Sequence, residues 1–316
     1  MLQVWHEVGW CDRTDKAAAE GLLRWFEGCR LRIAELNGRP ECGVTIHEGH
    51  MWHLETPLSM CGVSGVATSH VGRKKGLAAR LTAWSVAEEA AAGAEVACLG
   101  MFEQGFYNRL GFGTQTHCID MSFDPAALKV PVRKDPPVRI TPDDWADVHE
   151  ARVKGMKFHC STALSSPEFT RGRMMGSKGF GLGYRDTAGE LTHFLWFGKP
   201  KTNSGPYLVQ FIAFRTLEQF VELLGILKSL ADQVRTVNIR QPAAIQLQDF
   251  IETPFRYQVA RKEAGDHVAR TTAWAGWQTR INNVEACLAK THLFFDGPGF
   301  NLKLTDPIEK HLSLIH

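Results

Sequence analysis

Residues 61–113 read CGVSGVATSHVGRKKGLAARLTAWSVAEEAAAGAEVACLGMFEQGFYNRLGFG, and this stretch decides the fold. Residues 61–68 are small and β-branched with no charge, which predicts a strand. A polar bend from Ser69 to Gly72 follows, then a basic run ending in glycine, Arg73-Lys74-Lys75-Gly76. Leu77, Leu81, Trp84 and Ala87/Glu88 step at helical spacing, so a helix starts at once and stops near Gly93. Residues 95–100, EVACLG, return as a second apolar strand, and residues 104–113 set Phe106, Tyr107 and Phe112 between glycines.

A strand, a basic glycine turn and a helix make an anion site on physical grounds. The first amides of a helix lack intrahelical acceptors, and the helix dipole favours negative charge there. Gly76 lets an anion approach the backbone, Arg73, Lys74 and Lys75 add charge, and Ala78 and Ala79 keep the first turn open. The turn is a candidate pyrophosphate cradle. It is neither the phosphate loop G-x-x-x-x-G-K-[ST] nor the dinucleotide fingerprint G-x-G-x-x-G. A solvated loop ahead of a core helix is the bland alternative for the turn alone.

Read whole, Arg73-Lys74-Lys75-Gly76-Leu77-Ala78 resembles the acetyl-CoA signature [Q/R]-x-x-G-x-[G/A] of the GCN5-related N-acetyltransferases (GNAT). The preceding GVSGVAT and the following GFYNRLGFG are similar to the enhanced-intracellular-survival (Eis)-like subgroup. In that subgroup the second turn carries a catalytic tyrosine, and Tyr107 stands at the matching place. The resemblance spans nearly the whole chain, with its specific motifs between residues 61 and 113. It implies an α/β fold with mixed sheets and tandem GNAT-like domains, the second degenerate.

Composition narrows the class. A chain of 316 residues suits two domains, and 44% hydrophobic with 22% charged residues is ordinary for a globular protein. A net charge of +2 argues against general nucleic-acid binding. No apolar run approaches the roughly 20 residues that span a bilayer, and no secretory leader is evident, so a cytoplasmic location is expected. Eight cysteines without a C-x-x-C pair suggest reduced thiols rather than disulfides or a zinc site.

Outward from the central stretch, Ala17 to Phe26 forms an amphipathic helix, and residues 31–36 form a strand. Asn37-Gly38 is a hairpin turn, and the return strand runs from about Cys42 into the fifties. His47, His50 and His53 are spaced by three, which in an extended strand puts neighbours on opposite faces, so no metal site is expected. A strand pair is expected over residues 116–123. The proline-rich stretch 130–138 marks a linker. Thr141-Pro142 opens a helix. Residues 178–197 form a glycine-containing hairpin, and residues 206–240 repeat strand, helix, strand. There the turn between Phe214 and Thr216 has neither glycine nor a basic run, so one active site per chain is expected. By resemblance the domains are 1–129, acetyl-CoA-binding and lacking its first strand; 130–290, degenerate; and 291–316, the start of a truncated sterol-carrier-like domain. Residues 300–304 alternate like a strand.

The implied chemistry is acetyl transfer from acetyl-CoA, a co-substrate, to a primary amine by direct attack, without a metal. Val66, Ala67 and Thr68 would hold the pantetheine arm by a strand edge, and Arg73 to Ala79 would hold the pyrophosphate. Tyr107 would protonate the departing thiolate, a phenol near 10 facing a thiol near 8.5. Its alternative is a packed aromatic beside Phe106 and Phe112. Ser64 matches a position near the thioester. In that subgroup the base is a C-terminal carboxylate from the third domain; it is not expected to be supplied by these residues, and Glu48 and Glu55 are weak substitutes. The acceptor is a small-molecule or lysine amine, with no nucleic acid or membrane as partner, and the resemblance implies a homo-oligomer. A catalytically silent member that binds coenzyme A or a protein is the competing reading. A different phospholigand enzyme is the third.

Overall fold

The structure is a computed structural model and describes residues 1–12, 14–254, 269–291, 301 and 303–309. The chain opens with two helices, α1 (Leu2–Glu7) and α2 (Lys16–Glu27). Asp15 caps α2 by accepting from the Ala18 amide at 3.1 Å. A hairpin follows, β1 (Arg30–Leu36) and β2 (Arg39–His53). Asn37 and Gly38 both take positive φ, 53° and 71°, the turn that matches strand twist. Then come β3 (Thr56–Thr68), α3 (Leu77–Ala91), β4 (Val96–Gly100), α4 (Gln104–Asn108) and β5 (Gly113–Thr114). Trp84 is not on the buried stripe of α3: it is exposed, and the Arg32 guanidinium sits 5.4 Å over its ring.

The second half runs β6 (Cys118–Phe123), β7 (Val138–Ile140), α5 (Trp145–Lys154), β8 (Thr162–Leu164) and α6 (Pro167–Ser177). It continues with β9 (Phe180–Arg185), β10 (Leu191–Phe197), β11 (Tyr207–Ala213), α7 (Leu217–Ser229) and β12 (Val237–Arg240). It ends with β13 (Arg270–Trp274), β14 (Trp277–Ile281) and α8 (Val284–Ala289). The described strands form two seven-stranded sheets. One has the order β1-β2-β3-β4-β14-β5 with β8 on β2, and the other β13-β6-β12-β11-β10-β9-β7. In each, one parallel pair is joined by a helix: β3 and β4 by α3, β11 and β12 by α7. Leu77, Leu81 and Val86 pack α3 on the first sheet, and Phe220, Leu223 and Leu227 pack α7 on the second.

The sheets exchange strands, which corrects the expected strand pair over 116–123. β6 leaves the first sheet and pairs with β12 and β13, while β14 returns to lie between β4 and β5. A cut at 129/130 therefore separates β6 and β14 from the sheets they complete. Alternation marks a strand but not its partner; the partner is chosen by side chains such as Gln278, whose amide donates to Asn108 at 3.1 Å. Helices α2 and α6 also join the halves, where a Cβ on Gly172 would lie 2.5 Å from the Gly21 carbonyl oxygen. The eight cysteines are free thiols. Residues 301, 303 and 304 of the strand expected at 300–304 are described and lie in no strand, while most of 291–316 lies outside the described residues.

Candidate active site

Pairing between β3 and β4 runs from Met60↔Val96 to Val63↔Leu99 and stops. β3 continues to Thr68, so among the described residues no strand covers this edge of Val66, Ala67 and Thr68. The split coincides with a bulge: Thr45 faces Ser64 and Gly43 faces Ala67, leaving Gly65 and Val66 opposite Val44. Gly65 has φ 62°, and a Cβ there would sit 2.6 Å from the Trp5 ring and 2.9 Å from Thr45 Oγ1. Trp5 Nε1 donates to the Gly65 carbonyl at 3.3 Å and holds the bulge from α1.

The open edge leads into the basic turn. Ser69 pins its start, donating to the Glu41 carboxylate and accepting from the Gly72 amide at 3.0 Å. Arg73, Lys74 and Lys75 are exposed, and none forms an ion pair among the described residues. Gly76 takes φ 73° as the N-cap of α3, with no side chain capping the helix. Leu77 is buried, and Ala78 and Ala79 are half-buried behind it. At the matching place in the second half the chain plugs its own helix. Thr216 Oγ1 accepts from the Gln219 amide at 3.3 Å, Gln219 Oε1 accepts from the Arg215 amide at 2.7 Å, and Arg215 is paired with Glu190.

Tyr107 sits on α4, whose N-terminus is capped by Glu103 accepting from the Gly105 and Phe106 amides at 3.0 and 2.6 Å. It is 3% exposed and shares the core between the first sheet and α3 with Cys42, Val63 and Leu99. Phe102, Phe106 and Phe112 meet its ring edge-on at 6.2, 4.8 and 6.1 Å. Burial, with the Cys42 thiol as neighbour, pushes its phenol up to about 12. No described residue hydrogen-bonds its hydroxyl.

On the other face of the split lies a cleft of about 1320 Å³, which Ser64, Gly65, Leu99 and Gly100 help to line. Glu48 and Glu55 do not reach it. Strand alternation turns Glu48 outward onto Arg30, and Glu55 is exposed at the tip of the β2–β3 hairpin. The same alternation turns Thr45 and His47 toward the cleft side. His47 Nε2 lies 3.0 Å from Ser64 Oγ, and Thr45 Oγ1 donates to the Ser64 carbonyl at 2.8 Å. His47 is 2% exposed between the rings of Trp25 and Phe169, at 4.8 and 5.4 Å. Burial pushes it down to about 4, and its Nδ1, beside the Gly28 backbone, makes no well-formed hydrogen bond. Sequence reasoning set His47 aside with the other histidines; the parity of 45 and 47 against 46 and 48 was the signal that separates it. No group of three metal-ligating side chains occurs among the described residues, and no described helix is long and apolar enough to cross a membrane.

Comparison with known proteins agrees with this geometry. Residues 11–115 match the family model of an acetyltransferase (GNAT) domain. No curated protein matches the chain. Among solved structures, a GCN5-related N-acetyltransferase from Kribbella flavida is 18% identical with a TM-score of 0.60, over 82% of this chain and 62% of that one. Eis1 from Mycobacterium abscessus is 14% identical with a TM-score of 0.64, over 88% and 74%. A conserved Enterococcus faecalis protein of unknown function, described as a probable N-acyltransferase, is 12% identical with a TM-score of 0.70, over 91% and 70%. This chain thus spans less than two thirds of the Kribbella protein's length. At these identities the likeness speaks to the fold. The chain has the mixed α/β fold of the GCN5-related N-acetyltransferases, with an acetyltransferase (GNAT) domain over residues 11–115.

Proposed function

We propose that this chain is an acetyl-CoA-dependent N-acetyltransferase acting on a primary amine by direct attack, in the manner of the Eis-like subgroup. One observation carries the reading: among the described residues, an open strand edge at 66–68 runs into a glycine-led helix N-terminus without a side-chain cap, beside three cations that form no ion pair. That arrangement fits a pantetheine arm followed by a pyrophosphate. The second strand–helix–strand unit is read as a degenerate copy, because Thr216, Gln219 and Glu190 occupy the groups a phosphate would need. The division into 1–129, 130–290 and a third unit from 291 belongs to the same proposal, with β6 and β14 exchanged across it.

In this reading the neutral amine attacks the thioester carbonyl carbon through its nitrogen, the carbon–sulfur bond breaks, Tyr107 gives its proton to the leaving sulfur, and the proton lost by the nitrogen passes to solvent, from which the phenol is restored. A backbone amide of the 66–68 edge polarises the carbonyl oxygen. A phenol raised to about 12 still suits this role, because the same surroundings raise thiols: burial also pushes up Cys42, the thiol beside it. A sulfur leaving into such a site is a stronger base than in water. His47, neutral above about pH 4, orients the Ser64 hydroxyl beside the transfer point.

The competing reading, a silent member that binds coenzyme A, is favoured by one observation: the Tyr107 ring packs among aromatics with no described partner for its hydroxyl. A thermal-shift panel tests the common ground. Acetyl-CoA should raise Tm where ATP and NAD do not, and no rise with acetyl-CoA would remove both readings.

A further inference from the structure

Two arginines in the cleft, one half-buried and one exposed, have no carboxylate partner among the described residues. Arg152 on α5 and Arg173 on α6 both line the wall opposite Ser64 and Gly100. Arg152 is half-buried and held by neutral groups: its Nη1 donates to Thr170 Oγ1 at 2.9 Å, and its guanidinium lies 4.7 Å over the Phe211 ring. Arg173 is open to the cleft and makes no described hydrogen bond. Among the described residues neither has a carboxylate within ion-pair distance, whereas Arg30, Arg215 and Arg280 each sit on one.

A cation partly taken out of water without a counterion, as Arg152 is, is costly, and a second cation beside it adds to that cost. The enclosing walls and the neighbouring Arg173 press Arg152 down to about 10, and burial lowers Arg173 as well. Both stay charged at pH 7. Lys157 adds a third positive charge near Arg152, its Nζ donating to the carbonyls of Arg152, Val153 and Gly155 at 2.9, 2.9 and 2.6 Å. The acids on the cleft's rim are engaged locally: Asp12 accepts from Thr14, and Asp15 pairs with Lys178. The far wall carries His47, almost wholly buried, its Nε2 3.0 Å from Ser64 Oγ.

From this we infer that Arg152 and Arg173 form an oxyanion-recognition subsite for the acceptor, which is an amine that also bears a carboxylate or phosphate. The inference rests on the proposed acetyl transfer. The anion is assigned to the acceptor because residues 73–76 do not line this cleft, while Ser64 and Gly65 of the transfer point do. Guanidinium forks bind carboxylate and phosphate through paired donors. Polycations such as aminoglycosides or polyamines meet like charge here and are disfavoured.

Binding and turnover are tested separately on the full chain. Calorimetry compares a panel of N-acetyl amino acids with the matching amides, and phosphoethanolamine with ethanolamine. We expect the anionic member of at least one pair to bind at least tenfold tighter. The preference should fall at least tenfold in Arg173→Gln and in Arg152→Gln, and less in Arg152→Lys. Arg173→Gln carries the test if Arg152→Gln fails to fold, because Arg173 makes no described hydrogen bond. Equal binding of anionic and neutral members, no binding of either, or a preference that survives both glutamine variants overturns the subsite. Thiol release from acetyl-CoA is then compared for amino acids and their decarboxylated amines. A binding preference without any transfer removes the acetyltransfer reading alone. Transfer that is indifferent to the anionic group removes the subsite alone.

Discussion

Gly65→Ala strikes the point where fold and site share one residue. The new Cβ would lie 2.6 Å from the Trp5 ring and 2.9 Å from Thr45 Oγ1, so both must shift. Alanine at φ 62° adds left-handed strain of about 1–2 kcal/mol, and forcing a methyl into packed surroundings adds about 1–3 kcal/mol. The sum is about 2–5 kcal/mol, which at about 2 °C per kcal/mol lowers Tm by roughly 4–10 °C. Relief comes by flattening the bulge or pushing Trp5 away, and either moves the edge at 66–68. Acetyl-CoA affinity should therefore fall at least tenfold. Gly176→Ala is the control, because its φ is ordinary and nothing lies within 4 Å of its Cβ; stability there should hold or rise slightly. Differential scanning fluorimetry with and without acetyl-CoA reads both effects. A Gly65→Ala protein with unchanged Tm and affinity would refute the assignment of the bulge.

Gly76→Ala should separate binding from folding. Its Cβ meets nothing closer than Arg80 Nε at 4.0 Å, so stability falls by about 1 kcal/mol from backbone strain while KM for acetyl-CoA rises at least tenfold with kcat kept. Replacing Arg73, Lys74 and Lys75 together by glutamine should weaken acetyl-CoA binding about 5- to 160-fold at low salt, at roughly 0.3–1 kcal/mol per charge. The loss should shrink by 0.5 M salt, and a wild-type affinity indifferent to salt would count against the cradle. Stability should fall in acid. His47 titrates near 6.5 unfolded and near 4 folded, so the unfolded chain takes up the proton first as pH falls below 6.5. That removes up to about 3 kcal/mol by pH 4 and nothing above 6.5. Urea midpoints at pH 7 and 4.5 should drop less in His47→Gln than in wild type, since His149 and His193 are lowered in both proteins.

Local signals in the sequence read well because they act over a few residues. Asn37-Gly38 forms its hairpin turn, Thr141 caps a helical turn opened by Pro142, and Gly76 opens α3. The basic turn was legible because its chemistry is contiguous. What the sequence hid are contacts between distant segments. Cys118–Phe123 alternates as a strand should, yet nothing within it says that Val237–Arg240 is its partner. Trp277 to Ile281 gives no hint of inserting beside β4. Arg152 and Arg173 lie on helices of the second half, and their shared cleft with Ser64 exists once α2 and α6 have docked at Gly21 and Gly172. Glu48 failed as a candidate base for a simpler reason: one residue of parity separates it from His47.

Thiol release from acetyl-CoA, measured for wild type and Tyr107→Phe with amines that do and do not carry an anionic group, tests the central claim most directly. Acetyl transfer with Tyr107 as acid predicts amine-dependent release in wild type. In the variant kcat should fall at least tenfold with KM for acetyl-CoA little changed. Release unaffected by the substitution, or no release above hydrolysis with any amine in wild type, would contradict it.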